Sequence, residues 1–453
     1  MKNSAKSVNG VFDGGLKGKK IRFLGIGGVG VNALAKYALQ EGAIVTGSDR
    51  KLNDLCSQIV SAGGRVFEGE DGNFENIDAF VYSSAVREDN KELMRARALG
   101  AKIFERQEFL NLICNSFNIS VGIAGSHGKT TVTAMLTQIL KTADKNFTAM
   151  IGGEAIDFAN FVNNRGDGDG IFVTEACEYR RHMLALDVDV AVVLNTDWDH
   201  PDSYPTRESV EQAFAEYLGR AKVKVFESGA NSVTVQADEK TVFEYETAGD
   251  YANVFEGGKF VGSLTAKGQG EYNLKNSLFA IAVAGCLKVP AKDGVKALNS
   301  FKGVKRRFEK AGEINGVPVI FDFAHHPTEI KNLLARAKTL GNLLVVFQPH
   351  TYSRTKAYMD EFADVFADAD NGVKTLILCP TYAAREDFDA SATSDILASQ
   401  ILSKNAEKKV YTASSTASTL EFVNSMSKCH DAVLFVGAGD VYDLKRCFEN
   451  DEL

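Results

Sequence analysis

Residues 119–143, ISVGIAGSHGKTTVTAMLTQILKTA, constrain the fold more tightly than any other stretch. A short apolar run with β-branched residues passes directly into glycines, a Gly-Lys-Thr triplet and a helical apolar pattern, which reads as strand, loop and helix. Backbone N–H groups in such a loop wrap phosphate oxygens, Lys129 neutralises β/γ-phosphates, and the Thr130 hydroxyl can ligate Mg2+. The candidate phosphate residues are Gly125, Ser126, His127, Gly128, Lys129, Thr130 and Thr131. The loop departs from the strict GxxxxGK[ST] spacing, because position 123 is Ile and the first glycine is Gly122.

A second glycine loop, Gly25-Ile26-Gly27-Gly28-Val29-Gly30, follows the run IRFLGI and precedes VNALAKYALQEG, with Asp49 at the end of the next apolar run. GxGxxG in that setting admits a pyrophosphate at a helix N-terminus, and the acid can accept a sugar hydroxyl. By itself it does not choose between a dinucleotide and a nucleotide diphosphate. A dehydrogenase needs no Lys-Thr loop and a simple ATPase needs no GxGxxG, so the pair implies two phosphate-bearing ligands. A third constellation supports the first: Glu175 closes GIFVTEA, and His200 follows VAVVLNTD in the loop TDWDHPD. Ligands of open parallel sheets lie beyond the carboxyl ends of the strands, so Thr130, Glu175 and His200 form a candidate Mg2+ set.

The same alternation of apolar runs with amphipathic segments recurs along the 453 residues, about three domains' worth, and predicts an α/β fold. We expect a loosely ordered tail over 1–17, an N-terminal Rossmann-like domain over 18–115 and a central P-loop ATPase-like parallel sheet over 116–311. A second Rossmann-like domain is expected over 312–453. Residues 223–264, rich in Val, Phe, Thr and Gly, predict antiparallel strands, and the glycines of AGEING (311–316) predict a hinge. The net charge of −8 does not point to indiscriminate binding of nucleic acid or anionic membrane. No apolar run is long enough to span a bilayer, and the polar start lacks a signal-peptide core. The seven cysteines (56, 114, 177, 286, 379, 429, 447) stand singly, without metal spacing, and fit a reducing cytoplasm.

With these motifs in hand, the chain resembles the Mur ligases, ATP-dependent amide-forming enzymes of peptidoglycan precursor synthesis, from about Lys19 to about Leu444. The resemblance is carried by GIGGVGVNALA, YSSAVREDN, AGSHGKTT, TEACEYRRHMLAL with NTDWDHPD, NLKNSLFA, VKRRFE, FDFAHHPTEI, FQPHTYSRT and FVGAGD. It implies ATP and Mg2+, with Lys129, Glu175, His200 and Arg307 catalytic, Asn273 and Asn276 near adenine, Arg307 near the γ-phosphate and Asp322 near ribose. It further implies that Gly27, Gly28, Gly30, Asp49 and Ser84 surround UDP-N-acetylmuramate rather than NAD. His325, His326, His350, Tyr352 and Arg354 would face the muramoyl carboxylate and the incoming L-alanine. A family lysine that is carbamylated in other members falls at Ala215 here, so none is expected. Many relatives carry Arg where this chain has Thr351.

The implied reaction joins L-alanine to the lactyl carboxylate of UDP-N-acetylmuramate through an acyl phosphate; the alternative acceptor is a recovered murein tripeptide. The resemblance leaves room for a homodimer. Arg180, Arg181 and His182 form a basic cluster that meets substrate or coats a helix.

Overall fold

The computed structural model describes residues 6–69, 74–165, 170–200, 203–267, 270–384 and 386–449. Three sheets organise them. The first takes β1 (Lys20–Leu24), β2 (Ile44–Asp49), β3 (Arg65–Glu68), β4 (Ala79–Tyr82) and β5 (Lys102–Glu105) in the order β3-β2-β1-β4-β5, all parallel. The order reverses at β1, so a crevice opens beyond the carboxyl ends of β1 and β4, where the first glycine loop sits.

The central sheet contains β6 (Ile119–Ala124), β7 (Phe147–Met150), β8 (Phe161–Asn164), β9 (Ile171–Glu175), β10 (Val190–Val193) and β11 (Val223–Gly229). It continues through β12 (Ser232–Gln236), β13 (Lys240–Ala248), β14 (Tyr251–Glu256) and β15 (Lys259–Thr265). The order is β15-β14-β13-β12-β11-β10-β6-β9-β7-β8. From β11 to β7 the pairing is parallel, while β11 to β15 form the antiparallel meander expected over 223–264. VAVV of β10 is buried throughout, as a strand with helices on both faces requires.

The last sheet contains β16 (Glu309–Ile314), β17 (Val317–Asp322), β18 (Leu343–Phe347), β19 (Val373–Leu378), β20 (Lys409–Thr412) and β21 (Ala432–Val436) in the order β16-β17-β21-β18-β19-β20. All pairs are parallel except β16 with β17.

By their contacts the residues form two compact units, Met1–Thr265 with Leu274–Lys302, and Ala266–Asn273 with Gly303–Leu453. The first unit thus holds both the first and the central sheet. One apolar core runs through it, with Tyr37, Phe109 and Phe117 of the N-terminal part in the same cluster as Phe172, Met183 and Leu186. Polar ties reinforce it: Lys36 Nζ donates to Asn160 Oδ1 at 2.6 Å, and Asn160 Nδ2 donates to the Val29 carbonyl at 3.1 Å.

Two expectations are corrected. Residues 6–17 are not a loose tail: Val8, Phe12 and Leu16 are 2–3% exposed and join that core, Phe12 packing against Phe104 and Phe109. Residues 1–5 lie outside the described residues. The glycines of 311–316 do not make a hinge, because β16 and β17 pair across them as a hairpin. Gly312 has φ +125° and forms part of a bulge against the Phe448 carbonyl, and Gly316 turns the chain. The longer stretch of the second unit starts at Gly303, ahead of the expected 312.

Candidate active site

The loop after β6 is built by glycine geometry. Gly128 sits at φ +87° as N-cap of the helix Lys129–Thr142, a left-handed conformation that costs other residues about 1–2 kcal/mol. A side chain there would also meet Asn276 Oδ1 at 2.8 Å, which places Asn276 against the loop. Asn195, just past β10, clasps His127 by accepting from its N–H and donating to its carbonyl, both at 3.0 Å. Ser126 Oγ donates to the Asp197 carbonyl at 2.5 Å. Thr130 and Thr131 occupy the first turn of the helix, half-buried.

The Lys129 ammonium donates to the carbonyls of Gly125 and Ser126, at 2.6 and 3.1 Å, and lies 2.8 Å from Glu178 Oε2. Burial pulls the Lys129 pKa down, but Glu178, Cys177 and Glu175 more than offset it, so the net shift is upward and the ammonium stays charged. For Glu178, 4% exposed, burial pushes the carboxyl up while Lys129 and His200 overcome that push, leaving it below its ordinary value.

Glu178 is the functional residue that sequence reasoning missed. It lies three positions beyond the strand-end Glu175, in the region where parallel sheets place ligands, and that position was the available signal. Its backbone is held by Tyr204, whose hydroxyl donates to the Glu178 carbonyl at 2.6 Å. His200 Nε2 stands 3.5 Å from Glu178 Oε1, on a residue with φ +56°. Glu175 accepts from the Gly152 N–H at 2.5 Å.

Lys129, Glu175, Glu178 and His200 therefore gather at the carboxyl ends of β6, β9 and β10. Among the described residues no cluster of three His, Cys, Asp or Glu side chains holds a metal unaided. Mg2+ needs only one or two carboxylates when phosphates and water complete its shell, and the hydroxyl, imidazole and carboxylates here suit that role.

In the first sheet, Asp49 Oδ2 accepts from the Gly27 N–H at 2.8 Å and Asn53 Nδ2 donates to the Gly27 carbonyl at 3.0 Å. Asp49 thus orders the glycine loop, and Gly28 caps the helix Val29–Gln40. Ser84 follows β4, and its carbonyl accepts from Arg180 Nη1 at 3.5 Å. Ala215 is exposed on the helix Arg207–Arg220.

The second unit brings another set together. His325 Nδ1 lies 2.9 Å from the Phe323 carbonyl and 3.3 Å from Glu329 Oε2, and Arg307 Nη1 is 3.6 Å from Glu329 Oε1. The His325 and His350 rings are 5.6 Å apart, and His350 stacks on Tyr382. Burial, joined by Arg354 and opposed by Glu329, lowers His325 to about 3; burial with Arg354 lowers His350 to about 4. Both imidazoles are neutral at pH 7. Thr351, at φ +66°, caps the short helix Tyr352–Ala357, its hydroxyl accepting from the Arg354 N–H at 3.4 Å. The Tyr352 ring packs on Phe388.

Asp322 accepts from the Phe308 and Ala324 N–H groups at 2.7 and 2.8 Å, pinning the segment that carries Arg307. Asn273 also belongs to this unit, whereas Asn276, one turn along the helix Glu271–Cys286, belongs to the first. His326 caps a helix beside His325. It is 5% exposed, accepts from the Thr328 N–H as N-cap of the helix Pro327–Ala337, and packs edge-on against Tyr358.

Family models match in the same order: the Mur ligase family catalytic domain over residues 20–118, the middle domain over 123–284 and the glutamate ligase domain over 306–439. A UDP-N-acetylmuramate--L-alanine ligase of Clostridium acetobutylicum is 35% identical across 95% of this chain and 97% of its own. The chain belongs to the Mur ligase family. A crystal structure of a UDP-N-acetylmuramate-alanine ligase from Thermotoga maritima superposes with TM-score 0.76 at 26% identity, covering 95% of this chain and 98% of that one. A murein peptide ligase from Psychrobacter arcticus, 21% identical over 96% of this chain and all of its own, shares the fold at TM-score 0.63. Among the described residues no helix is long and apolar enough to cross a membrane.

Proposed function

We propose that this Mur ligase joins L-alanine to the lactyl carboxylate of UDP-N-acetylmuramate, with ATP converted to ADP and phosphate. The observation that carries the reading is the Lys129 ammonium, held charged inside a glycine loop by Glu178 at the carboxyl ends of β6, β9 and β10, in a chain 35% identical to a named alanine ligase over nearly its whole length. A carboxylate is a poor electrophile, so amide formation needs activation. A lactyl carboxylate oxygen attacks the γ-phosphorus, the bond to the ADP oxygen breaks, and an acyl phosphate forms. The alanine amine then attacks the acyl carbon, loses a proton, and phosphate departs with the former carboxylate oxygen.

In this reading the loop N–H groups and Lys129 bind the β/γ-phosphates and offset charge at the transferring group. Thr130, Glu175 and His200 are the residues that would hold Mg2+, which when bound supplies further positive charge to the phosphate oxygens. Asn276 lies against the loop at the nucleotide side. Gly27, Gly28, Gly30, Asp49 and Ser84 would hold the sugar nucleotide. Arg307 would attend the γ-phosphate, and Arg354 offers a planar fork for the alanine carboxylate. His325 and His350, neutral at pH 7, would line the side that faces the muramoyl carboxylate and the alanine.

The murein tripeptide is the alternative acceptor. The 35% identity to a named alanine ligase over 95% of the chain favours alanine. The test is phosphate release with ATP, Mg2+ and UDP-N-acetylmuramate in the presence of L-alanine, glycine, L-serine or the tripeptide. We expect turnover with L-alanine, and turnover confined to the tripeptide would overturn the acceptor assignment.

A further inference from the structure

Arg106 stands at the carboxyl end of β5, as first residue of the helix Arg106–Cys114, and the chemistry above gives it no task. Its guanidinium lies on the first glycine loop: a side chain at Gly30 would come within 3.2 Å of Arg106 Cδ and 3.3 Å of Nη1. Among the described residues that half-buried guanidinium makes no hydrogen bond and no ion pair.

From the central part, the segment after β9 approaches the same place. Arg180 and Arg181 are both left-handed, at φ +50° and +59°, a strained conformation for residues other than glycine. The turn sends the two arginines apart. Arg181 pairs with Glu216 at 2.8 Å, whereas Arg180 reaches the carbonyl of Ser84 beside β4. His182 is close enough to Arg106 and Arg180 for both, added to burial, to depress its pKa to about 4.

Two guanidinium groups and an imidazole thus converge on Gly30 and Ser84, with the acidic neighbour Glu216 engaged by Arg181 and Arg220. The half-buried Arg106 and the exposed Arg180 carry like charges, and an anion with several acceptor oxygens can bond to both. The N-terminus of the helix Val29–Gln40 adds its own N–H groups at this point.

We propose that Arg106, Arg180 and His182 form a clamp, spanning the N-terminal and central parts of the first unit, that takes the diphosphate of the sugar nucleotide. The proposal rests on the sugar-nucleotide reading above and adds to it the central segment as a second jaw. That segment also carries Glu178, and its rings continue toward the Lys129 loop: His182 is 6.2 Å from the Tyr179 ring, which is 5.0 Å from His200.

The test is calorimetric titration of the full-length protein with UDP, uridine and UDP-N-acetylmuramate. The variants are Arg106→Gln, Arg106→Lys and Arg180→Gln, with thermal unfolding as the check on folding. A charge-assisted hydrogen bond contributes about 1.5–3 kcal/mol, so Arg106→Gln should weaken UDP and UDP-N-acetylmuramate by roughly tenfold or more and leave uridine unchanged. Arg106→Lys should recover part of the loss. Arg180, which is exposed, provides the variant least able to disturb folding, and Arg180→Gln should weaken the same two ligands. Wild-type affinity for UDP in both glutamine variants would overturn the clamp while leaving the sugar-nucleotide reading intact. An equal loss for uridine would also overturn it. Failure of the unaltered protein to bind UDP-N-acetylmuramate would overturn the underlying reading instead.

Discussion

Glu178 and Lys129 show how a short-range pair sets the working state of a site. Burial alone would favour a neutral amine, and the carboxylate reverses that preference. Glu178→Gln keeps the shape and removes the charge, so the Lys129 pKa should fall below its ordinary value. The expected result is an ATP KM that climbs as pH rises from 7 to 10 in the variant and stays flat across that range in the unaltered protein. Matching profiles for the two would remove Glu178 from this role. Lys129→Ala should abolish ADP formation under all these conditions. The lysine was legible because a Gly-Lys-Thr loop between strand and helix has few other uses. Glu178 and Arg106 were not, since an acid in ACEYRR and a base in FERQEF look like ordinary solvated charges until β5 and β9 are known to end beside them. The different settings of His325 and His326 were not legible either. A His-His pair in sequence does not say which ring faces outward, and the N-cap geometry of Pro327–Ala337 turns His326 inward.

Among the elements, parallel strands were the easiest to read, because strands covered on both faces become unbroken apolar runs such as VAVV and AVLFV. Short strands with mixed composition escaped: Arg65–Glu68 and Lys102–Glu105 carry charges at both ends and form the two edges of the first sheet. The N-terminal segment escaped because four apolar side chains among nine positions that include three glycines look sparse, yet Val8, Phe12 and Leu16 all reach the core. Phe12→Ala should therefore cost about 3–5 kcal/mol, the range for a buried aromatic, measured as a lower urea midpoint at constant slope. A shift within about 0.5 kcal/mol, as expected of a surface site, would restore the loose-tail reading. The hairpin at Gly312 carries the matching prediction. A hinge glycine tolerates alanine, whereas at φ +125° with the Phe448 carbonyl against it, Gly312→Ala should destabilise the second unit. Proteolysis at rising urea, followed from the C-terminal end, would detect the loss, and unchanged protection would favour the hinge.

At the scale of the molecule, the count of three sheets followed from alternation and length, but their grouping did not. Which sheets share a core depends on long-range packing of residues such as Tyr37, Phe117 and Phe172, none of which a local pattern pairs. The two-unit organisation makes acid sensitivity uneven. His325 and His350, at about 3 and 4, lie in the second unit, and His182, at about 4, lies in the first. Each is held below the ordinary value of 6.5, so the unfolded chain binds protons that the folded one refuses. Stability contributed by these neutral rings is fully present above about pH 6.5 and is lost as pH falls toward the folded values, each ring adding up to one proton to the slope. Carboxylates held below their ordinary value, such as Glu178, act only at lower pH, whereas Asp322, which burial raises, takes up its proton more readily when folded and opposes the histidine slope in the second unit. Urea unfolding followed by proteolysis at pH 7.5, 6.5, 5.5 and 5 should show the midpoint of the second unit falling more steeply than that of the first. His325→Gln with His350→Gln should flatten only the steeper curve, and a midpoint constant over the interval would show that these rings are not held neutral by the fold.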